Sequence, residues 1–579
     1  MNPRYRLDTE CYRDYFLLMM RDRDTGETLG AEMYPGKPLG VSSLPPGTFV
    51  TFNGKNYDFP ILSLALAGCD NATLKAASDD IIVNGLKPWH IADKYGGVDL
   101  SGVDHIDLIE VAPGQCGLKA YGGRMHSARL QDLPIDPAAS IGPTQRPVLV
   151  AYCGNDLETT GNLDDELTPQ LQLREQMSEE YGIDLRSKSD AQIAEAVIRS
   201  EVEKLRGERV WRPDIHPAYT FQYRPPAFLS FQTPGMQQVL SLLQRATFTL
   251  DVNGKPEIPQ ELESMRIRIG NGVYRMGNGG LHSSETCISY TEPLEDWDVT
   301  GYYPAIILTQ QLAPAHLGAE FLQVFQSIVD RRIAAKRMGD TVVADSLKIV
   351  VNGSFGKLGS KWSTLYSPDL LIQVTLTGQL ALLMLIEMLE LNGVTVVSAN
   401  TDGVVMKSHP NIEPIVHLWE LLSGLQMEQT QYRALHAKDV NNYIAIKENG
   451  GVKLKGIYSQ GRLNKNPTNA VCIDAVLAYV QHGIPLEDTI NGCGDIRKFL
   501  TIRQVKGGGS YDGVYLGKAV RWYYATDEDR CIRYASNGNK VAKSDGARPA
   551  MELPASIPAD LDYAWYTREA KSILGDIGL

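Results

Sequence analysis

The chain has eight cysteines and no Cys-x-x-Cys pair among them. Structural zinc sites and small disulfide frameworks depend on such spacing, so neither organises this protein, and the cysteines are expected in the core of a protein from a reducing compartment. Positive charge is also short: 56 Lys and Arg stand against 69 Asp and Glu, a net charge of −13. That balance argues against a protein that coats nucleic acid through its phosphates, but it leaves room for a local basic channel above an acidic floor. No apolar run approaches a membrane span. The longest, LALLMLI at 380–386, is bounded by Gln379 and Glu387 and reads as part of a buried helix, so no membrane partner is expected. MNPRYRLDTE becomes charged at once and has no signal-peptide apolar region, which makes a cytoplasmic location the expectation. No repeat with a period of 20 to 50 residues is visible. KGGGS at 506–510 lacks the order of a phosphate-binding P-loop and reads as a loop.

What is present is a chain of 579 residues, too long for one core, with 43% hydrophobic and 22% charged residues. Three to five domains or subdomains are expected. Residues 1 to about 165 alternate short apolar strands with helical patterns, an α/β arrangement. The charged stretch from Asp164 to about Gly207 reads as solvated linking helices. Beyond about 290 come a strand entering DVTGYYP, a helical hairpin over about 321–361, a helix to about 391, and a hairpin whose tip is Asn400-Thr401-Asp402-Gly403.

Carboxylates recur in the first region. The strand RYRLDTE places Asp8 and Glu10 on one face. FNGKNYDFPIL sets Asp58 at the end of a loop entering an apolar segment, and YCGNDLETT sets Tyr152 and Asp156 one helical turn apart. Asp-x-Glu alone is weak, since roughly two such triplets occur by chance in a chain of this size. Together, four carboxylates from three segments could hold two divalent cations about 4 Å apart, activating a water and stabilising a leaving 3′-oxygen. The tyrosine could orient that water.

In the second half, Asp298 ends a strand, and Tyr303 precedes a proline that breaks regular structure. Lys348, Asn352 and Phe355 fall on one face of a helix expected to stop at Gly356. Arg332 and Lys336, one turn apart on the preceding helix, fold back through the MGDT turn toward Lys348. Three cations converging on one patch suit a triphosphate.

Asp-x-Glu, Asn-x-x-x-Tyr-Asp and Tyr-x-x-x-Asp, in that order, resemble the three exonuclease motifs of proofreading DNA polymerases. Asp298-x-x-x-x-Tyr303-Pro304, then Lys348-x-x-x-Asn352-x-x-Phe355-Gly356, then Thr401-Asp402 resemble motifs A, B and C of family B DNA polymerases. The resemblance implies a multidomain α/β and α+β fold, with an RNase H-like exonuclease domain joined to a right-hand polymerase of palm, fingers and thumb. It implies Mg²⁺ or Mn²⁺, two per active site, held by Asp8, Glu10, Asp58 and Asp156 in one site and by Asp298, Val299 and Asp402 in the other. Catalysis would fall to these aspartates and Glu10, with Tyr152. Arg332, Lys336 and Lys348 would bind the dNTP triphosphate, Tyr303 would exclude a 2′-hydroxyl, and Asn352 and Phe355 would shape the base-pair pocket.

DNA primer-template is the implied partner, touched by Tyr443, Lys453 and Lys455, with Arg462 and Lys465 beyond them, and by the Tyr274, Gly279 and Gly280 element. Accessory replication proteins are further expected partners of a monomer. Departures from the family pattern are Asn400 for the first motif C aspartate, Gly301-Tyr302 for Ser-Leu, Gly353 for Ser, and Asn441 for the lysine before Tyr443. Lys119 stays unassigned.

Only 50 residues separate Asp298 from Lys348 and 46 separate Gly356 from Asp402, which leaves little room for the insertions of protein-primed polymerases. A compact phage or mobile-element enzyme acting in a host cytoplasm is therefore expected, with terminal-protein priming the weaker alternative. Expected boundaries are 1–165 for the exonuclease, 166–285 for a linking region, 286–320 and 362–461 for the palm, 321–361 for the fingers and 462–579 for the thumb. The rival activity is a 3′-5′ exonuclease whose polymerase half has lost synthesis and only holds DNA, with Asn400 its best argument.

Overall fold

In the computed structural model, which describes residues 3–277 and 279–579, the chain passes between two units more than once. The first unit takes in Met1–Ser189, Gln460–Tyr479 and Ile484–Ala570; the second takes in Asp190–Ser459, Val480–Gly483 and Lys571–Leu579.

The first unit is built on five strands in the spatial order Thr28–Met33, Tyr15–Asp22, Arg4–Tyr12, Thr48–Thr51, Asp104–Asp107. The first three are antiparallel and the last two run parallel to Arg4–Tyr12. Tyr15–Asp22 buries its first six residues, YFLLMM, because both faces of the sheet are covered. Helix Arg146–Glu166 lies against Arg4–Tyr12 and Tyr15–Asp22. Its end is tied to the sheet by Arg4 and Arg6, both paired with the fully buried Asp164.

The segment from about 462 onward does not form a unit of its own. Its hairpin of Thr501–Tyr511 and Val514–Tyr524 carries Arg521, fully buried, whose guanidinium donates to the carbonyls of Ser127 (2.8 Å), Ala550 (2.6 Å) and Met551 (3.1 Å). Burial pushes its pKa down to about 10. A buried cation needs such a ring of acceptors, and here the ring joins residues far apart in sequence.

Among the described residues of the second unit, ten strands form one antiparallel sheet. Its centre is Met427–Asp439, Leu294–Val299, Gly403–Lys407 and Val396–Asn400, side by side. Pro368–Leu391 packs in this unit as a 24-residue helix. By length and composition it could cross a membrane, yet nearly all of it is buried in the fold, and its Glu387 and Gln379 are satisfied by the backbone of Gln232 and Thr233 and of Gly277.

The helical hairpin is Gly318–Met338 followed by Thr341–Lys357, so the second helix runs one residue past Gly356. Gly339, at φ +73°, ends the first helix in the left-handed conformation, and the Asp340 carboxylate caps the second by accepting from Val343 N at 3.1 Å.

The solvated linking helices expected over 164–207 are a correction. Asp190–Arg206 buries Ile193, Ala194, Ala196, Val197, Ile198 and Val202 and packs along Thr341–Lys357, while Thr168–Tyr181 buries Leu171, Met177 and Tyr181. The many charges hid an apolar face of helical period. Gly353 explains the closeness of the packing: a Cβ there would stand 2.8 Å from the Asp190 carbonyl oxygen and 2.9 Å from the Ala194 methyl.

Candidate active sites

In the first unit, Asp8 and Glu10 leave one face of Arg4–Tyr12, and Asp58 opens helix Asp58–Leu66. The loop delivering Asp58 is clamped by Asp107, whose carboxylate accepts from Asn53 N at 2.7 Å and Lys55 N at 3.0 Å. Asp58 then reaches back to the strand, accepting from Thr9 N at 3.0 Å and Thr9 Oγ1 at 2.6 Å. Tyr152 and Asp156 face the same spot from Arg146–Glu166. Asp156 is ion-paired with Lys119, whose ammonium sits 4.4 Å from the Tyr152 ring centroid.

The structure thus brings all five predicted residues together. Burial, then mutual repulsion, raises the pKa of Asp8; burial with Asp156 raises Glu10; burial raises Asp58 to about 7 despite its bonds to Thr9. Burial also raises Asp156, against the pull of Lys119. Carboxylates crowded in a low dielectric cannot all ionise without compensating positive charge. A hard divalent cation fits this oxygen donor set.

Cys153 was not anticipated. Its Sγ lies 3.7 Å from an Asp8 oxygen, and possible ligand atoms of Asp8, Glu10 and Cys153 lie within 4.8 Å of one another. Burial and then Asp8 hold the thiol far above its usual pKa, so it stays protonated and donates to Asp8.

In the second unit, Asp298 comes from Leu294–Val299 and Asp402 from the turn that joins Val396–Asn400 to the neighbouring Gly403–Lys407. Asp298 pairs with Gly403 on one side and Glu428 on the other. A Cβ on Gly403 would fall 2.1 Å from Asp298 Oδ1, so the bare glycine is what lets the carboxylate lie across the Thr401-Asp402-Gly403 turn. Val299 N donates to the Asp402 carbonyl at 2.7 Å, Thr401 N to the Leu281 carbonyl at 2.8 Å, and Thr401 takes φ +52°. Burial, then Asp298, raises the pKa of Asp402.

Asn400 is not idle in this turn. Its amide nitrogen donates to the Val440 carbonyl at 3.1 Å and approaches Asn441 Oδ1 at 3.4 Å, while its oxygen accepts from Thr401 Oγ1 at 3.0 Å.

Tyr303 stacks on Phe355 with centroids 4.1 Å apart and planes 20° apart, and its hydroxyl donates to the Gly279 carbonyl at 2.6 Å. Gly280 lies against Thr401, where a Cβ would meet Thr401 Cα at 3.0 Å. Lys348 and Asn352 are exposed and Phe355 half-buried on Thr341–Lys357; Arg332 is half-buried and Lys336 exposed on Gly318–Met338. Among the described residues, no hydrogen bond or ion pair joins these three cations to Asp298 or Asp402.

Tyr274 is a correction. At 1% exposure its ring belongs to the core of the sheet and presents nothing to a nucleic-acid strand. Tyr443 is half-buried, with Lys455 Nζ 6.0 Å from its ring centroid. Lys453 points at the carboxylates, 2.9 Å from Asp296 and 3.2 Å from Asp298. Burial opposes its charge, but Asp296, Tyr443 and Asp298 hold its pKa far above the usual value. Arg462 and Lys465 belong to the first unit, where Arg462 pairs with Glu166 at 3.2 Å.

Sequence reasoning missed Asp296 and Tyr432. Asp296 was detectable, since strand alternation puts it on the face of Asp298. Tyr432, whose hydroxyl bonds Asp296, carried no such signal.

No family model matches the chain, and no curated protein matches it. Among solved structures, it is similar to the family B DNA polymerase from the hyperthermophilic archaeon Pyrobaculum calidifontis, with 15% identity over 100% of this chain and 78% of that one, at a TM-score of 0.42. A likeness of that degree assigns no role to any residue.

Proposed function

We propose that the chain is a template-directed DNA polymerase that extends a primer 3′ end with dNTPs and carries a 3′-5′ proofreading exonuclease in its first unit. The observation that carries this reading is the strand register that lays the Asp298 carboxylate over Gly403, beside Asp402, in a unit separate from the cluster of half-buried Asp8 with buried Glu10, Asp58 and Asp156. Six sequence motifs in the family B order support it.

In the second unit, Asp298 and Asp402, with the Val299 backbone, would hold Mg²⁺ or Mn²⁺. Bound there, divalent cations would lower the pKa of the attacking 3′-hydroxyl and offset triphosphate charge. Arg332, Lys336 and Lys348 neutralise the triphosphate. Tyr303, pinned flat on Phe355 and to Gly279, fills the space a ribose 2′-hydroxyl would need, and Asn352 borders the nascent base pair.

In the first unit, Asp8, Glu10, Asp58 and Asp156 would hold the cations. Burial and the neighbouring Asp156 keep the Tyr152 phenol protonated, so it can donate to and orient a water. Lys119 fixes Asp156 in place.

By this reading residues 1–165 are the exonuclease, the central sheet is the palm, and the Gly318–Met338 and Thr341–Lys357 hairpin is the fingers. Tyr443 and Lys455 line the primer-template path, while Lys453 points away from it at Asp296 and Asp298. A monomer encoded by a phage or mobile element and working in a host cytoplasm, with or without accessory replication proteins, completes the proposal.

A 5′-labelled primer on a longer template, in Mg²⁺ with and without dNTPs, tests it. Lengthening with dNTPs and shortening without them is the expected result. Shortening in both lanes favours the second reading, an exonuclease with a synthesis-defective partner unit. That reading draws on Asn400 and on the Lys453 cation at Asp298, both of which lower negative charge at the second site.

A further inference from the structure

Lys453 is the one residue expected to touch DNA that instead points into the carboxylates. It stands on the short strand Val452–Leu454 and crosses to Leu294–Val299, where it meets two aspartates that alternation places on one face. The two contacts differ. Asp296 is nearly fully buried, bonded to the Tyr432 hydroxyl and 2.9 Å from the ammonium. Asp298 is about half exposed and lies at the longer distance of 3.2 Å.

A buried carboxylate that loses its cation is left uncompensated, whereas an exposed one can turn to water or to another cation. The ammonium is therefore held by Asp296 and Tyr432 and is only lent to Asp298.

Resting on the reading of Asp298 as a divalent-cation ligand, we propose that Lys453 is an exchangeable internal counter-ion for Asp298, kept beside it by the positioning residue Asp296. Before divalent cations load, Lys453 offsets the charge of Asp298 and keeps the carboxylate oriented across the Gly403 turn. When a divalent cation arrives, the ammonium withdraws onto Asp296 and Tyr432 without leaving either carboxylate unpaired. No bond is made or broken; one ionic contact replaces another. Lys453 thereby competes with the cation and sets how much of it the site requires. The absence of a second acidic side chain at Asn400 makes that competition stronger, because fewer negative charges share the ammonium.

The test measures Mn²⁺ binding to the DNA-free chain by the loss of the free-ion paramagnetic resonance signal. The background is Asp8→Ala with Glu10→Ala, which silences the first unit's cluster. Lys453→Met is expected to bind Mn²⁺ about two- to fivefold more tightly than the background chain, the range of a part-exposed ion pair. Lys453→Arg should keep the background affinity.

Lys453→Met strands the buried Asp296, so the double change Lys453→Met with Asp296→Asn, which replaces both partners, is measured beside it and should tighten binding equally. Unchanged or weaker Mn²⁺ binding in the folded double variant overturns the counter-ion role. Mn²⁺ binding that Asp298→Asn and Asp402→Asn leave unaltered overturns the polymerase-site reading beneath it, and the two failures are distinguishable.

Discussion

Tyr303 and Phe355 stack face to face, 4.1 Å between centroids, although one ring follows a central strand of the sheet and the other rides on the second helix of the hairpin. Burial and then Asp402 push the Tyr303 pKa up to about 12, so the phenol remains a donor to Gly279. A ring held on its face and at its hydroxyl has little freedom to yield to a bulkier sugar. Tyr303→Ala is expected to raise relative ribonucleotide use by about tenfold or more, read as the ratio of kcat/KM for an rNTP and its dNTP. Phe355→Ala should move the ratio the same way by less. An unchanged ratio in Tyr303→Ala removes that residue from sugar selection.

The two carboxylate sites sit in different units and should fail separately. Asp402→Ala is expected to lower primer extension by about 10³-fold while primer shortening continues, and Asp8→Ala to do the reverse. Gel assays with and without dNTPs on each variant read this directly. Loss of both activities from either single change would contradict two independent sites.

Gly353 offers a stability prediction independent of chemistry. Gly353→Val drives a branched side chain into the Asp190 backbone and the Ala194 methyl and is expected to cost about 1–3 kcal/mol in chemical denaturation. Gly353→Ala should cost less than Gly353→Val. Equal stability of Gly353→Val and the parent would mean the helices are not packed as described.

Asn400→Asp exchanges a donor to the Val440 carbonyl for a carboxylate facing that oxygen and Asn441 Oδ1. About 1–3 kcal/mol of stability should be lost near pH 7. The unfolding midpoint checks this, and a variant as stable as the parent would show that the amide bond to Val440 contributes nothing.

His105 makes the first unit sensitive to acid. Burial, then Lys55, lowers its pKa to about 4; Arg186 acts in the same direction, and Asp104 and Asp184 oppose it. Its Nε2 lies 2.8 Å from Thr51 Oγ1 and its ring 4.3 Å from that of Phe59. Between pH 6.5 and about 4 the unfolded chain binds a proton at this histidine that the folded chain refuses, so stability present above 6.5 declines as pH falls through that window. Unfolding midpoints at pH 7.5 and pH 5 should differ less in His105→Gln than in the parent. An identical pH slope in the two proteins would assign the acid sensitivity elsewhere.

Much of both sites was legible before any fold was known, because the signals are local. Asp8 with Glu10 follows from the two-residue alternation of a strand, Tyr152 with Asp156 and Lys348 with Asn352 from the helical turn, and the Asn400 to Gly403 tip from turn chemistry. Charge content misled where an apolar face lay beneath it, as in Asp190–Arg206. Tyr274 misled because a tyrosine in a glycine-rich stretch looks the same in sequence whether its ring faces a strand of DNA or the core.

The sequence by itself therefore determined which residue types recur at which short spacings, and with them the candidate chemistry. Tertiary structure alone decided that Lys453 meets Asp296 across 157 residues, that Arg521 gathers carbonyls from Ser127 and Met551, that Gly353 yields to Asp190, and that Asn400 is bonded to Val440. Those pairings depend on sheet register and helix packing, which are set by the burial of whole faces and leave no trace in the spacing of neighbouring residues.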